Sequence, residues 1–296
     1  MRLARFRTAA GEAGFGVVSG GGDDGDGDEV VRLDHRVASF ESALADPPEI
    51  RPDDPRVPAG GLRWDPPIGD HAKIVCVGFN YAAHASESER STVDVPDHPT
   101  LFTRFVDSFV GAGTPVVRPA GDDTLDWEGE AGLVIGTPGR RIAAEDAWHH
   151  VAGVTCVAEN SVRSWQLHSN QATAGKNWHH SGAIGPWVTT VDELGTGPLR
   201  VTTRLNGTTV QDDTTDRLTF GFAELIAYVS TLTPLRAGDL IATGTPKGIG
   251  FRMDPPRFLR PGDDVEVQVS GVGTLRHGVV DETAAPLGRT TVEASR

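Results

Sequence analysis

Residues 125–136 read LDWEGEAGLVIG, and the last eight of them, Gly129–Gly136, form a short apolar run closed by glycine. A run of this length and composition reads as a strand. Alternate side chains on a strand share a face, so Glu128 and Glu130 project together. Two like charges at that range raise each other's pKa unless a cation lies between them. Hard oxygen donors of this kind suit Mg²⁺, Mn²⁺ or Ca²⁺. The plain alternative is a solvated strand face bearing two acids, and spacing alone leaves both open.

Similar short apolar runs flank this one. KIVCVGF (73–79), VAGVTCVAE (151–159), DLIATGT (239–245) and VEVQVSGVGTLRHGVV (265–280) read as further strands joined by Gly and Pro turns. Asn206-Gly207, set between VTTRL and TTVQ, is a strong type I′ hairpin signal. Phe222–Leu232 is the clearest amphipathic helix of the second half. Residues 1–70 differ in texture. Alternating runs at Arg2–Arg7, Gly14–Val18 and Val30–Leu33 are interrupted by the acidic, glycine-rich stretch Gly20–Asp28, read as a solvated hairpin loop. A short helix is expected over 38–45, and the proline-rich Pro47–Pro67 reads as an extended linker. The division is therefore a small N-terminal β module with its linker (1–70), a main domain (71–285) and a polar tail (286–296).

Composition agrees with this pattern. Gly (36) and Pro (20) are plentiful in a chain of 296 residues that is only 6% aromatic, which points to a β-rich α+β protein with many turns. The formal charge of −14 repels nucleic acid backbones and anionic membranes, so neither is expected as a partner. An anionic substrate would need a local cation. No segment has the length of a bilayer span, and the N-terminus lacks a continuous apolar signal core. Cys76 and Cys156 both sit in apolar stretches and read as buried thiols in a reducing cytoplasm.

Other polar groups carry possible chemistry. Glu159, Arg163 and Gln166 follow an apolar strand at spacings of four and three, which puts them on one face if a helical turn follows. An ordinary Glu159–Arg163 surface pair is the alternative. His84 and Glu87 lie three apart after GFNYAA. A carboxylate beside an imidazole fixes its tautomer and raises its basicity, which makes a water-activating base; a surface His–Glu pair is the bland reading. The loop Ala242–Gly250 (ATGTPKGIG) is neither a P-loop nor a dinucleotide fingerprint. Its backbone amides suit a carboxylate instead.

Taken in order, GFNYAAHASE, PTLFTRFVDSFVG, LDWEGEAGLVIG, GVTCVAENSVRSWQ, AGKN, GDLIATGTPKGIG and PGDDVEVQVSGVGTL resemble the fumarylacetoacetate hydrolase family from about Lys73 to Asp281. The resemblance implies a mixed β-roll, a homodimer, one Mg²⁺ or Mn²⁺ per active site, and action on acylpyruvates, fumarylpyruvates or related oxo-acids. It assigns Glu128, Glu130 and Glu159 as metal ligands, His84 and Glu87 as a lid dyad, and Lys176 as an active-site lysine. Arg104, Arg163, Gln166 and Thr245 fall at substrate-binding positions. The chain departs from the family pattern where Ala158-Glu159 replaces an Asn-Asp pair and Ser164 replaces an Asp.

The chemistry explains these residue types. A 1,3-dicarbonyl or 2-oxo acid can chelate a divalent cation, and a departing carbanion must be held as an enolate in a positive field. The leading expectation is a hydrolase that cleaves a carbon–carbon bond, with His84, oriented by Glu87, deprotonating water. An oxaloacetate-type decarboxylase or an oxo-acid isomerase is the alternative on the same scaffold. A catalytically silent family member acting as a binding protein is the non-enzymatic one, motivated by the departures over 158–164.

Overall fold

The computed structural model describes residues 1–20, 29–81 and 97–283. Its centre is the strand Gly129–Ile135, buried along its whole length. This strand pairs antiparallel with Val151–Ala158 on one side and with Leu240–Ala242 on the other. Beyond Leu240–Ala242 the sheet continues through Ile74–Gly78 in parallel and then Thr100–Arg104 in antiparallel register. Beyond Val151–Ala158 it continues through Gly182–Thr190 to the N-terminal strand Arg2–Arg7.

A second sheet of five strands runs Thr208–Thr214, Arg200–Leu205, Asp264–Val269, Gly273–Asp281, Val116–Arg118. It packs on one face of the first. Ala131, Leu133 and Ile135 of the central strand join Val201, Val265, Val267 and Leu275 in one apolar core. Val134, on the opposite face, packs with Leu3, Leu33, Ile74 and Leu240 in another. Full burial of one such aliphatic side chain stabilises by about 1.5–3 kcal/mol. The two faces obey the strand period of two, and Glu130 shares its face with Val134.

The hairpin at Asn206-Gly207 forms as expected, with φ of 51° and 78° at the two turn residues. The amphipathic helix spans Phe222–Leu232, and the short N-terminal helix spans Phe40–Ala45 with Ser39 capping it. The proline-rich stretch departs from the extended-linker reading. Arg56–Pro58 and Arg63–Asp65 are strands that hydrogen-bond to Glu29–Arg32 and Arg2–Arg7. Edge positions tolerate proline because the missing N–H faces away from the ladder. One continuous sheet therefore crosses the boundary drawn at residue 70. The acidic loop falls on 21–28, outside the described residues. Among the described residues no helix is long and apolar enough to cross a membrane.

His277 sits in this architecture at an energetic cost. It is 1% exposed, its Nδ1 lies 3.2 Å from the Gly278 carbonyl, and its Nε2 has no hydrogen-bond partner among the described residues. Burial drives its pKa from the ordinary 6.5 down to about 4. The unfolded chain therefore takes up this proton first as pH falls. The stability tied to neutral His277 is complete above pH 6.5 and is lost as pH falls towards 4, by on the order of 3 kcal/mol. Urea unfolding across that window should show a slope that His277→Leu flattens; an unchanged slope in the variant would refute the assignment.

Candidate metal centre and active site

Glu128 and Glu130 flank Gly129, and the glycine explains how both reach the same side. A Cβ at Gly129 would lie 2.0 Å from Thr203 Oγ1 of the five-stranded sheet, so the strand presses on that sheet without space for a side chain. The glutamates point the other way. Glu159 follows the neighbouring strand, its N–H donating to the Glu128 carbonyl at 2.8 Å. The pairing Gly129↔Ala158 sets Glu159 beside Glu128. One carboxylate oxygen from each of Glu128, Glu130 and Glu159 lies within 4.8 Å of the others, and all three residues are buried.

Three cations surround this triad. Lys176 Nζ donates to the Glu159 carbonyl at 2.9 Å and to the Glu159 carboxylate, and lies 3.0 Å from Glu128 Oε2. Burial works against its charge, but Glu128 and Glu159 outweigh burial and hold its pKa above the ordinary lysine value. Arg104 Nη1 donates to Glu159 Oε1 at 3.0 Å. Arg163 Nη1 lies 2.8 Å from Glu128 Oε1, and Ser161 Oγ donates to the same oxygen at 2.5 Å. Glu159 and Arg163 do not form the surface pair that their spacing allows. Arg163 opens a short helix, Arg163–Gln166, and turns to Asp126, Glu128 and Gln166 instead.

Glu130 is the exception. Among the described residues it has no salt-bridging side chain; its Oε2 accepts from the Gly244 N–H at 2.8 Å. Burial, then the charges of Glu159 and Glu128, push its pKa well above the ordinary carboxylate range. A buried carboxylate in this setting is neutralised by a proton or by a cation. Three carboxylates converging at ligand distance, one lacking a basic partner, fit a hard divalent ion. The amide of the TGTP loop does hold a carboxylate, as its composition suggests, and that carboxylate is the protein's own Glu130.

The triad forms part of the lining of a cavity of about 370 Å³, shared with Lys176, Arg163, Gln166 and Thr245. Thr245 Oγ1 donates to the Gly129 carbonyl at 3.0 Å and accepts from Gln211 Nε2 at 2.8 Å, so its hydroxyl is committed within the protein. The resemblance assigns Arg104 to the substrate; in the fold it is buried behind the cavity. Its guanidinium turns inward to Glu159, Ser108, Ser181 and the Asn160 carbonyl, where it holds Glu159 from behind. His84 and Glu87 lie outside the described residues.

Asp126 and Gln211, which carry no functional motif in the sequence, also brace the site. Asp126 accepts from Arg163, Trp127 N, Gly250 N and Phe251 N, tying the helix that carries Arg163 to the loop after the TGTP segment. Gln211 accepts from Gly129 N at 3.0 Å and donates to Thr245 and Pro246. Asp126 stands in the decisive stretch itself, two residues before Glu128, and was legible there. Gln211 has no local signal, because its partners lie far along the chain.

A β-rich fold that gathers three buried carboxylates and three cationic side chains in one place forms a site where the carboxylates could hold a metal ion. Residues 73–280 match the family model for the C-terminal region of fumarylacetoacetate (FAA) hydrolase, and the chain belongs to the fumarylacetoacetate hydrolase family. It is 37% identical over 229 residues to human mitochondrial oxaloacetate tautomerase FAHD2A, covering 76% of this chain and 72% of that protein. Fumarylacetoacetate hydrolase from psychrophilic Exiguobacterium antarcticum superposes with a TM-score of 0.82 at 30% identity, over 95% of this chain and 100% of that one. The 5-carboxymethyl-2-hydroxymuconate delta-isomerase from Mycobacterium smegmatis gives 0.79 at 28% identity, with 95% and 100% coverage.

Proposed function

We propose that this protein is a divalent-metal-dependent enzyme that moves a proton between oxygen and carbon in a small 2-oxo acid, an enol–keto tautomerase or isomerase. Glu128, Glu130 and Glu159 would hold the ion, and Mg²⁺ or Mn²⁺ suits three carboxylates plus waters. When bound, such an ion supplies Lewis acidity towards the oxygens of a chelating oxo-acid. The observation that carries the reading is Lys176, a buried ammonium fixed between Glu128 and Glu159 at the cavity floor.

Enol–keto conversion passes through an enolate whose charge is shared between oxygen and carbon. The enol O–H loses one proton and the adjacent carbon gains one, so nothing else need enter or leave. The hydrogen-bond and ion-pair contacts of Lys176 go to the two glutamates and the Glu159 carbonyl. Its field, offset in part by those carboxylates, would act on the enolate in a partly dry site, where a fixed charge counts for more than in water. Arg104 acts as a positioning residue for Glu159, and Arg163 does the same for Glu128.

The tautomerase named among the relatives, at 37% identity, and the isomerase among the structural neighbours support this reading over carbon–carbon hydrolysis. Hydrolysis remains the second reading because His84 and Glu87 stand at the spacing of a water-activating pair. A side-by-side assay with Mg²⁺ or Mn²⁺ separates the two. Oxaloacetate enol should convert faster than an acylpyruvate is cleaved; cleavage outrunning tautomerisation would overturn the proposal. In the tautomerase reading His84 would carry the proton between the enol oxygen and the carbon, so His84→Ala should lower turnover by about 10²–10⁴-fold, the usual worth of a general acid–base group. Near-normal turnover, with the metal-induced rise in melting temperature intact, would remove His84 from the mechanism. We further propose a homodimer in a reducing cytoplasm; Cys76 and Cys156 form no disulfide and are buried.

A further inference from the structure

Among the described residues the cavity is lined by three cationic side chains, Lys176, Arg163 and Arg252. Lys176 is spent on Glu128 and Glu159. Arg163 is spent on Asp126, Glu128 and Gln166. Arg252 differs. Its guanidinium rests 5.1 Å from the Phe251 ring centroid, and it makes no ion pair with a described residue. It is half-buried, so its charge is only partly dissipated into water.

The backbone that carries Arg252 is firmly anchored. It ends the short turn Gly250–Arg252, whose Gly250 and Phe251 N–H groups donate to Asp126 at 2.8 and 3.0 Å. Asp126 is in turn gripped by Arg163. A Cβ at Gly250 would meet the Arg257 carbonyl at 1.8 Å, so the turn packs too tightly to shift. A guanidinium without an ion pair among the described residues, on such a mount, presents a planar fork that matches a carboxylate.

We infer that Arg252 binds the distal carboxylate of a dicarboxylic substrate such as oxaloacetate, and that this one side chain sets the preference for 2-oxo diacids over 2-oxo monoacids. This inference rests on the proposed oxo-acid chemistry for the other end of the molecule. A 2-oxo acid bound beside the triad would bring one carboxylate there. A distal carboxylate, in a protein of net charge −14, needs its own cation, and among the described residues of the wall Arg252 is the one without an ion pair.

The test uses two inert 2-hydroxy acids that differ by one carboxylate, malate and lactate, titrated by calorimetry into Mg²⁺-supplemented protein. Wild type should bind malate more tightly. Arg252→Gln should weaken malate roughly ten- to a hundredfold, the worth of a charge-assisted bond, and leave lactate unchanged. Arg252→Lys, which keeps the charge but loses the fork, should fall between, and matched melting curves would show that both variants fold. Equal binding of the two acids by wild type, or a malate preference surviving in Arg252→Gln, would overturn the inference. Oxaloacetate turnover is measured on the same wild-type preparation. Its absence alongside the expected binding pattern would sink the tautomerase proposal and leave the Arg252 assignment standing.

Discussion

Lys176→Met will lower oxo-acid turnover by about 10²–10³-fold, the range seen when one group stabilising a developing oxyanion is removed. Methionine keeps the length and apolar stem of lysine and deletes only the ammonium. The loss should fall on kcat more than on KM, because an enolate carries more charge than the substrate that precedes it. The metal-free variant should also melt at a lower temperature, since Glu128 and Glu159 lose the cation 3.0 Å or less from each carboxylate. Added Mn²⁺ should restore much of that stability by binding the native state alone. Turnover within tenfold of wild type, in a variant that still responds to Mn²⁺, would show that the ammonium is structural and the enolate is held by other means.

Glu130→Gln should have the second-largest effect, and its sign depends on whether metal is present. With metal, the variant loses one of three carboxylates, and affinity should drop on the order of 10²-fold or more, beyond the usual cost of losing a ligand's outer partner. Without metal the same change should stabilise. Glu130 has a folded-state pKa raised by burial and by Glu159 and Glu128, so the folded state holds its proton more tightly than the unfolded chain does. The stability this provides is present at low pH and is lost as pH rises from the ordinary glutamate value of 4.5 through the higher folded value. Glutamine does not titrate. Metal-free Glu130→Gln should therefore melt above wild type at pH 8, with the gap closing as pH falls towards 4.5. A variant less stable than wild type at pH 8 would mean that Glu130 already has a compensating cation.

Much of the fold was legible because its strands are short, apolar and bounded by Gly or Pro. The Asn206-Gly207 hairpin and the Phe222–Leu232 helix follow from local signals alone. Glu128 and Glu130 could be read as a same-face pair because strand geometry requires it. Three features were not legible. Arg56–Pro58 and Arg63–Asp65 look like linker, since proline masks an edge strand whose partner lies elsewhere in the chain. Arg104 looks like a substrate contact, since nothing near it shows that Glu159, 55 residues away, draws it inward. Arg163 has two acids to choose from besides Glu159, and the tertiary fold brings Asp126 and Glu128 closer. In each case a long-range partner decided the outcome.

A crystal structure of the protein grown with Mn²⁺, read in anomalous difference density, tests the metal centre most directly. One ion per chain is predicted, coordinated by carboxylate oxygens of Glu128, Glu130 and Glu159. A map with no peak among those three side chains, or with manganese bound only elsewhere, would contradict it.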